Sequence, residues 1–354
     1  MNLKQIWWEK VPNVAHFLQE IQDALSQDES LLVFLPQEAP WRDFALELIK
    51  RHIDHLPNRS LKELRAEAPV EETMLRHFCK EEKRVLYRKT KSIAQFLAED
   101  DSLVLNQAIV FVDGLRAKNI LAWGTFVQDY FKYLSTTKER PVFLLIAEDE
   151  TPSRTPYKEL RVLHYADAVD SFDTYAFATM TASETLKDRH EKQYMALLLA
   201  TFCGNDVELC AACGEYGRAF LQNPEGILTQ IMQEKRHADG RPFMAHVNPH
   251  DLRRGIWRTQ VQIAFPILED FRAEYTRKYQ AQLQITNRQP KDIELKDFLI
   301  WAQNGTIKIS NFDFQKLNRL RLDRNTLAHF GILDAEEIIN LLHEGEAIAW
   351  HFNA

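Results

Sequence analysis

Residues 108–115 read Ala-Ile-Val-Phe-Val-Asp-Gly-Leu. Five apolar residues in succession, three of them β-branched, have strand length. An unbroken apolar run marks a strand covered on both faces rather than one with a wet side. Asp113-Gly114 then ends the strand as a turn signal. Leu31–Leu35 (LLVFL) reads the same way and is stopped by Pro36 and Pro40, as does Pro141–Ala147 (PVFLLIA). Leu160–Tyr165 (LRVLHY) adds a last strand and Val85–Tyr87 a weaker one. Between them lie segments of helical spacing: Trp41–His55 with Phe44, Leu48 and Ile49 inward, Ser92–Glu99, and Ile120–Leu134. Buried strands alternating with helices predict an α/β fold, a parallel sheet with helices on both faces.

Past Asp167 no strand pattern remains. Residues 167–236 read as short helices, among them His190–Phe202 and Gly226–Gln233, and 237–250 as a linker with two prolines and a glycine. Residues 251–285 have the period of one long helix, kinked at Pro266, and 286–293 interrupt it. Helices near 294–303, 312–330 and 334–348 follow. The expected organisation is therefore an α/β domain over 1–166, a helical region over 167–236, a linker at 237–250 and an all-α bundle over 251–354.

Composition narrows the function classes. The chain has 354 residues, 45% hydrophobic and 27% charged, an ordinary soluble balance. No run approaches the 18 or so apolar residues of a transmembrane helix. The first residues lack the apolar core of a secretory signal, so a cytoplasmic location and no membrane partner are expected. Four cysteines make no disulfide framework. The CxxC at Cys210–Cys213 has no second CxxC or His pair, so those cysteines read as core and no metal site is expected. Trp7-Trp8 reads as packing onto the sheet rather than as a partner anchor. Glycine numbers only 11, about half the usual share. Net charge is −7, yet residues 249–330 hold 14 Lys/Arg against 9 Asp/Glu. A basic segment in an acidic protein admits a nucleic-acid partner there.

The order of parts in the first half resembles the NTPase core of the STAND and AAA+ families. A strand at 31–35 leads into a helix at the Walker A position. AIVFVDGL resembles a Walker B strand ending in Asp113, its DGL being similar to that of NACHT-type members. PVFLLIA falls where a sensor strand belongs, and 167–236 where a helical lid belongs. The phosphate-binding chemistry is missing. A working loop needs GxxxxGK[ST], with backbone amides wrapped round phosphate, a Lys and a Mg²⁺-binding hydroxyl. Here the connection is Pro36-Gln37-Glu38-Ala39-Pro40-Trp41-Arg42. Its two prolines donate no N–H, Glu38 repels phosphate, and Gly-Leu-Arg-Ala after Asp113 offers no second acid to activate water. The resemblance thus implies a degenerate nucleotide site at Pro36, Glu38 and Asp113, without hydrolysis and without a cofactor. Val112-Asp113-Gly114-Leu115-Arg116 is also similar to the Asp-bearing strand of PglZ phosphatase-like domains, which need further metal-binding Asp and His residues downstream; no such set follows here.

The sharpest chemical signal is Arg324-Asn325-Thr326-Leu327-Ala328-His329. At about 100° per residue, Phe314, Leu317, Leu320 and Leu327 form an apolar arc with Arg324 near its middle. A guanidinium there is costly unless an anion satisfies it. Asn318, Arg321, Asn325 and His329 lie beside the arc, and Asn325 and His329, four apart, share a face. This R-polar-x3-H pattern, inside an all-helical segment of about 100 residues, resembles the HEPN superfamily. The resemblance implies metal-independent RNA cleavage with Arg324, Asn325 and His329 as catalytic groups. His329 would act as acid or base and Arg324 would stabilise charge on the phosphate. It also implies homodimerisation, because such sites are composite. Arg321, Asn318, Arg253 and Arg254 are the candidate RNA contacts. Such pairings of domains resemble those of prokaryotic phage-defence or toxin–antitoxin systems, whose other proteins would be partners. Two alternatives remain: a non-catalytic scaffold using the helical domain to dimerise, with His329 capping its helix before Gly331 as the C′ residue, and the phosphatase-type reading around Asp113.

Overall fold

The computed structural model describes residues 2–66, 69–88, 90–99, 105, 107–136, 138–148, 157–246, 251–284 and 288–352, the last six by backbone alone. The chain divides into two compact units, residues 1–173 and 174–354.

The first unit is an α/β layer. It begins with helices α1 (Leu3–Lys10) and α2 (Pro12–Ser26), then β1 (Leu31–Phe34), α3 (Arg42–Asp54), β2 (Ser60–Arg65), α4 (Val70–Phe78), α5 (Glu81–Arg84) and α6 (Ile93–Glu99). It continues through β3 (Ala108–Leu115), α7 (Ala117–Tyr133), β4 (Val142–Ala147), β5 (Arg161–His164) and α8 (Tyr165–Ala168). All five strands are parallel, in the order β2-β3-β4-β1-β5. β1, β3 and β4 are buried on both faces, as their continuous apolar runs require. Alternate residues Val110, Val112, Phe143 and Leu145 join one core with Met74, Leu97 and Trp123 from α4, α6 and α7. On the other face the Lys50 ammonium of α3 stands 5.1 Å from the Phe111 ring centre.

Three expectations need correction. Val85–Tyr87 is no strand: Val85 and Leu86 stand 85% and 68% exposed in the turn after α5. The fifth strand is instead Ser60–Arg65 (SLKELR), paired with β3 at the sheet edge. In α3 the inward residues are Ala45, Leu46, Ile49 and Ile53, while Phe44 and Leu48 are only half-buried. Trp7 and Trp8, by contrast, are buried in keeping with the packing expected of them.

The second unit is helical: α9 (Ser171–Thr185, whose first turn holds the division), α10 (Arg189–Cys203), α11 (Val207–Gly214), α12 (Arg218–Gln222), α13 (Pro224–Glu234), α14 (Leu252–Lys278), α15 (Gln280–Leu283), α16 (Leu295–Gln303), α17 (Asn311–Ala328) and α18 (Ala335–Phe352). Segments 167–236 and 251–354, expected as separate regions, both contribute to it, α10 packing against α14 and α18. α14 runs through Pro266 as one helix. Cys203, Cys210 and Cys213 are buried free thiols of its core. No described helix is long and apolar enough to cross a membrane.

Candidate functional site

Two places in the chain carry the expected site residues, one in each unit. In the α/β unit, β3 and β4 lose register between Val112 and Leu115. Gly114 adopts φ +82 there, and a Cβ on it would meet only Glu148 Oε1, 3.8 Å away. The glycine therefore serves the backbone turn rather than a tight space. The irregularity sets Asp113 at the carboxyl end of the sheet, where ligands of open parallel sheets bind.

That position is filled from within. Arg42 Nη2 donates to Asp113 Oδ1 at 2.5 Å and Nη1 to Oδ2 at 3.5 Å, while Nε reaches the Leu35 carbonyl at 3.4 Å. Gly114 N–H also donates to Asp113 Oδ1 at 2.9 Å. The Arg42 side chain is 9% exposed, so its charge is covered and matched by the planar fork geometry that guanidinium and carboxylate share. The loop also consumes several of its own amides: Ala39 N–H bonds to Pro36 O, Arg42 N–H to Ala39 O, and both Phe44 and Ala45 N–H to Trp41 O. Pro36 is half-buried and its carbonyl accepts the Ala39 bond, and Glu38 is exposed. Trp8 Nε1 donates to Pro40 O at 2.8 Å and pins the loop. Trp41 adopts left-handed φ 46, ψ 46 at the N-cap of α3. Arg42 was visible in the sequence as a residue of the loop, but nothing in its spacing announced Asp113 as its partner. Glu148, which pairs with Arg116 at 3.3 Å, likewise had no sequence signal.

In the helical unit, α17 runs from Ser310, whose hydroxyl accepts the Asp313 N–H, to its C-cap His329. Leu317, Leu320 and Leu327 form the buried arc together with Asp313 and Asp323; Phe314, expected inward, is half-buried. Arg324 is half-buried on that arc. Among the described residues it makes no hydrogen bond or close ion pair. Its charge is felt by Glu294 at the start of α16, whose carboxyl is held below its ordinary range first by Lys296, then by Arg324 and Arg288. Arg321 donates through Nη2 to Asn318 Oδ1 at 3.0 Å, which joins two of the expected RNA contacts, and its Nε is buried without a partner. Asn325 and His329 are exposed.

The end of α17 departs from the sequence reading in one instructive way. Gly331 N–H bonds to Thr326 O at 2.8 Å and Phe330 N–H to Leu327 O at 3.3 Å, the two bonds of a Schellman ending. Its left-handed C′ residue is Phe330, with φ 60, and not Gly331. Gly331 is required for space instead, since a Cβ there would stand 2.7 Å from Thr326 Cγ2 and 2.8 Å from Thr326 O.

Two α14 side chains hold this turn. Trp257 Nε1 donates to Leu327 O at 2.6 Å. Gln260, 1% exposed, accepts from Leu333 N–H at 2.8 Å and donates to Leu333 O at 2.8 Å, with Tyr194 OH 2.9 Å from the same nitrogen. Arg253 and Arg254, one turn before Trp257, are exposed. On the helix they lie about 40° and 60° to either side of it, so the bond from Trp257 brings the α14 arginines to the motif end of α17. Trp257 and Gln260 were absent from the expected site because a Trp and a Gln in a helix carry no spacing signal; only their contacts reveal the role.

Asp323 is the other unusual group. The residue is 7% exposed, and burial, with Glu337 and Glu344 nearby, pushes its pKa up to about 6 against the opposing pull of Arg319. Among the described residues no group of three or more His, Cys, Asp or Glu is arranged to hold a metal ion. No protein-family model matches the chain, and no curated protein matches it in sequence.

Proposed function

We propose that the protein is a metal-independent endoribonuclease of the HEPN type, its N-terminal unit a STAND-like sensing domain that no longer binds nucleotide. One observation carries the reading: α17 presents a half-buried guanidinium without a close anion, Arg324, and an exposed imidazole at its end, His329, on a turn fixed from α14 by Trp257 and Gln260. A buried-side cation without a hydrogen-bonded protein anion suits a transient one.

In the reaction, the ribose 2′-hydroxyl attacks the adjacent phosphorus, the 5′-oxygen leaves, and a cyclic phosphate remains. His329 takes the 2′-proton or delivers one to the leaving oxygen. Arg324 neutralises charge growing on the phosphorane oxygens, and Asn325 orients the imidazole or the phosphate. Five residues of helix set Arg324 and His329 about 7.5 Å apart in rise and about 140° apart in direction. A second copy facing α17 would complete the pair, so a homodimer belongs to the proposal. The α/β unit fits an inactive NTPase core: β4 lies between β1 and β3, and Arg42 sits on Asp113 where phosphate and metal would go. The same pair disfavours the phosphatase-type reading, since both Asp113 oxygens are taken.

The test is cleavage of labelled RNA in EDTA by the full chain beside His329→Ala and Arg324→Ala. Chelator-resistant cutting lost in both variants supports the proposal. Intact RNA at every protein concentration, from a preparation shown to be dimeric, favours the scaffold role in a phage-defence or toxin–antitoxin assembly.

A further inference from the structure

Phe330 is an aromatic residue in a position that favours glycine. It occupies the left-handed C′ site of α17 at φ 60, a conformation that disfavours any side chain relative to glycine, and it is 64% exposed. Its ring lies 4.6 Å from the Trp257 ring, tilted 35°, and Trp257 is fixed in turn by its bond to Leu327 O. The result is a rigid aromatic step beside His329, open to solvent on one side. Strain kept at an exposed bulky residue points to a role outside packing. Trp257 is flanked along α14 by cations: Arg253, Arg254 and Arg258 are exposed and, among the described residues, make no ion pair.

From this juxtaposition we infer that Phe330 and Trp257 form a stacking platform for an unpaired base of single-stranded RNA, with Arg253 and Arg254 holding the flanking phosphates. Aromatic faces bind bases of any identity, and arginines beside them hold the backbone. The inference rests on the ribonuclease reading of the same helix end and adds the substrate class: an unpaired strand, stacked next to His329. A duplex offers no free base face and would engage the arginines alone.

The experiment uses the full chain carrying His329→Ala, so that RNA stays intact, and a short single-stranded RNA with a single 2-aminopurine. Quenching of the probe on binding is expected, with affinity roughly tenfold lower in Phe330→Gly, restored in Phe330→Tyr, and roughly tenfold lower for an abasic strand. Glycine suits the left-handed site, so Phe330→Gly should melt within a few degrees of its parent. Equal binding of parent, Phe330→Gly and abasic strand would overturn the platform, even if wild-type protein cuts RNA. Quenching and ring-dependent binding without cleavage by wild type would keep the platform and sink the nuclease. A Phe330→Gly variant that binds RNA normally but loses its dimer would assign the step to a protein interface and overturn the inference.

Discussion

The guanidinium of Arg42 closes on both carboxylate oxygens of Asp113, joining the start of α3 to the end of β3 across 71 residues of chain. Removing one partner leaves a covered charge without its match, which is costlier than removing both. Arg42→Ala is expected to cost about 2–4 kcal/mol, and the double change with Asp113→Ala less than the sum of the two single ones. A urea-unfolding cycle measures this; strictly additive losses would show that the pair contributes nothing. Calorimetry with ATP and Mg²⁺ should show no micromolar binding to wild type.

Gln260 satisfies three groups at once, the Leu333 N–H and C=O and the Tyr194 hydroxyl. Gln260→Leu keeps much of the volume and strands those polar groups in the core, at an expected cost of about 2–4 kcal/mol. Hydrogen exchange should speed up at Leu333 specifically, whereas an exposed change such as Asn325→Ala should leave both readings in place.

Asp323 links stability to pH. Its folded pKa, raised to about 6, exceeds the unfolded value near 3.9, so the folded state binds more protons between these values. Stability therefore falls as pH rises from about 4 to about 6, and the loss is complete above that. Asp323→Asn removes the titration and should gain on the order of 2–3 kcal/mol at pH 7 and little at pH 4. Thermal melts across this range check the sign; a gain at pH 4 equal to that at pH 7 would contradict it.

Gly331 faces Thr326 too closely for a side chain. Because one close atom is backbone oxygen, Gly331→Ala must shift the turn, and a loss of about 1–3 kcal/mol is expected. If this turn positions His329, RNA cleavage should fall by more than the folded fraction does, which single-turnover rates at a temperature well below the melt would reveal.

The buried strands were legible because burial on both faces leaves an apolar run that few other structures produce; LLVFL, AIVFV and PVFLLIA all became central strands. Ser60–Arg65 was not legible, since an edge strand buries little and SLKELR is mostly exposed. Val85-Leu86 misled because an apolar pair on a surface turn looks in sequence like a strand fragment. In the candidate site, Arg324 and His329 could be placed by helical arithmetic alone. Arg42 on Asp113 and Trp257 on Leu327 could not, because tertiary pairings of single residues leave no period to read.

The strand order also sets a timetable for synthesis. β1 is made before the other four strands of its sheet, yet its partners there are β4 and β5: Leu31 opposite Leu144 and Arg161. At a ribosomal pace of roughly 5–20 residues per second, LLVF waits on the order of ten seconds for its neighbours. An apolar strand without partners for that long is a template for pairing with other nascent chains. The helices α1 and α2 precede β1 in the chain, so they are complete in time to shelter it.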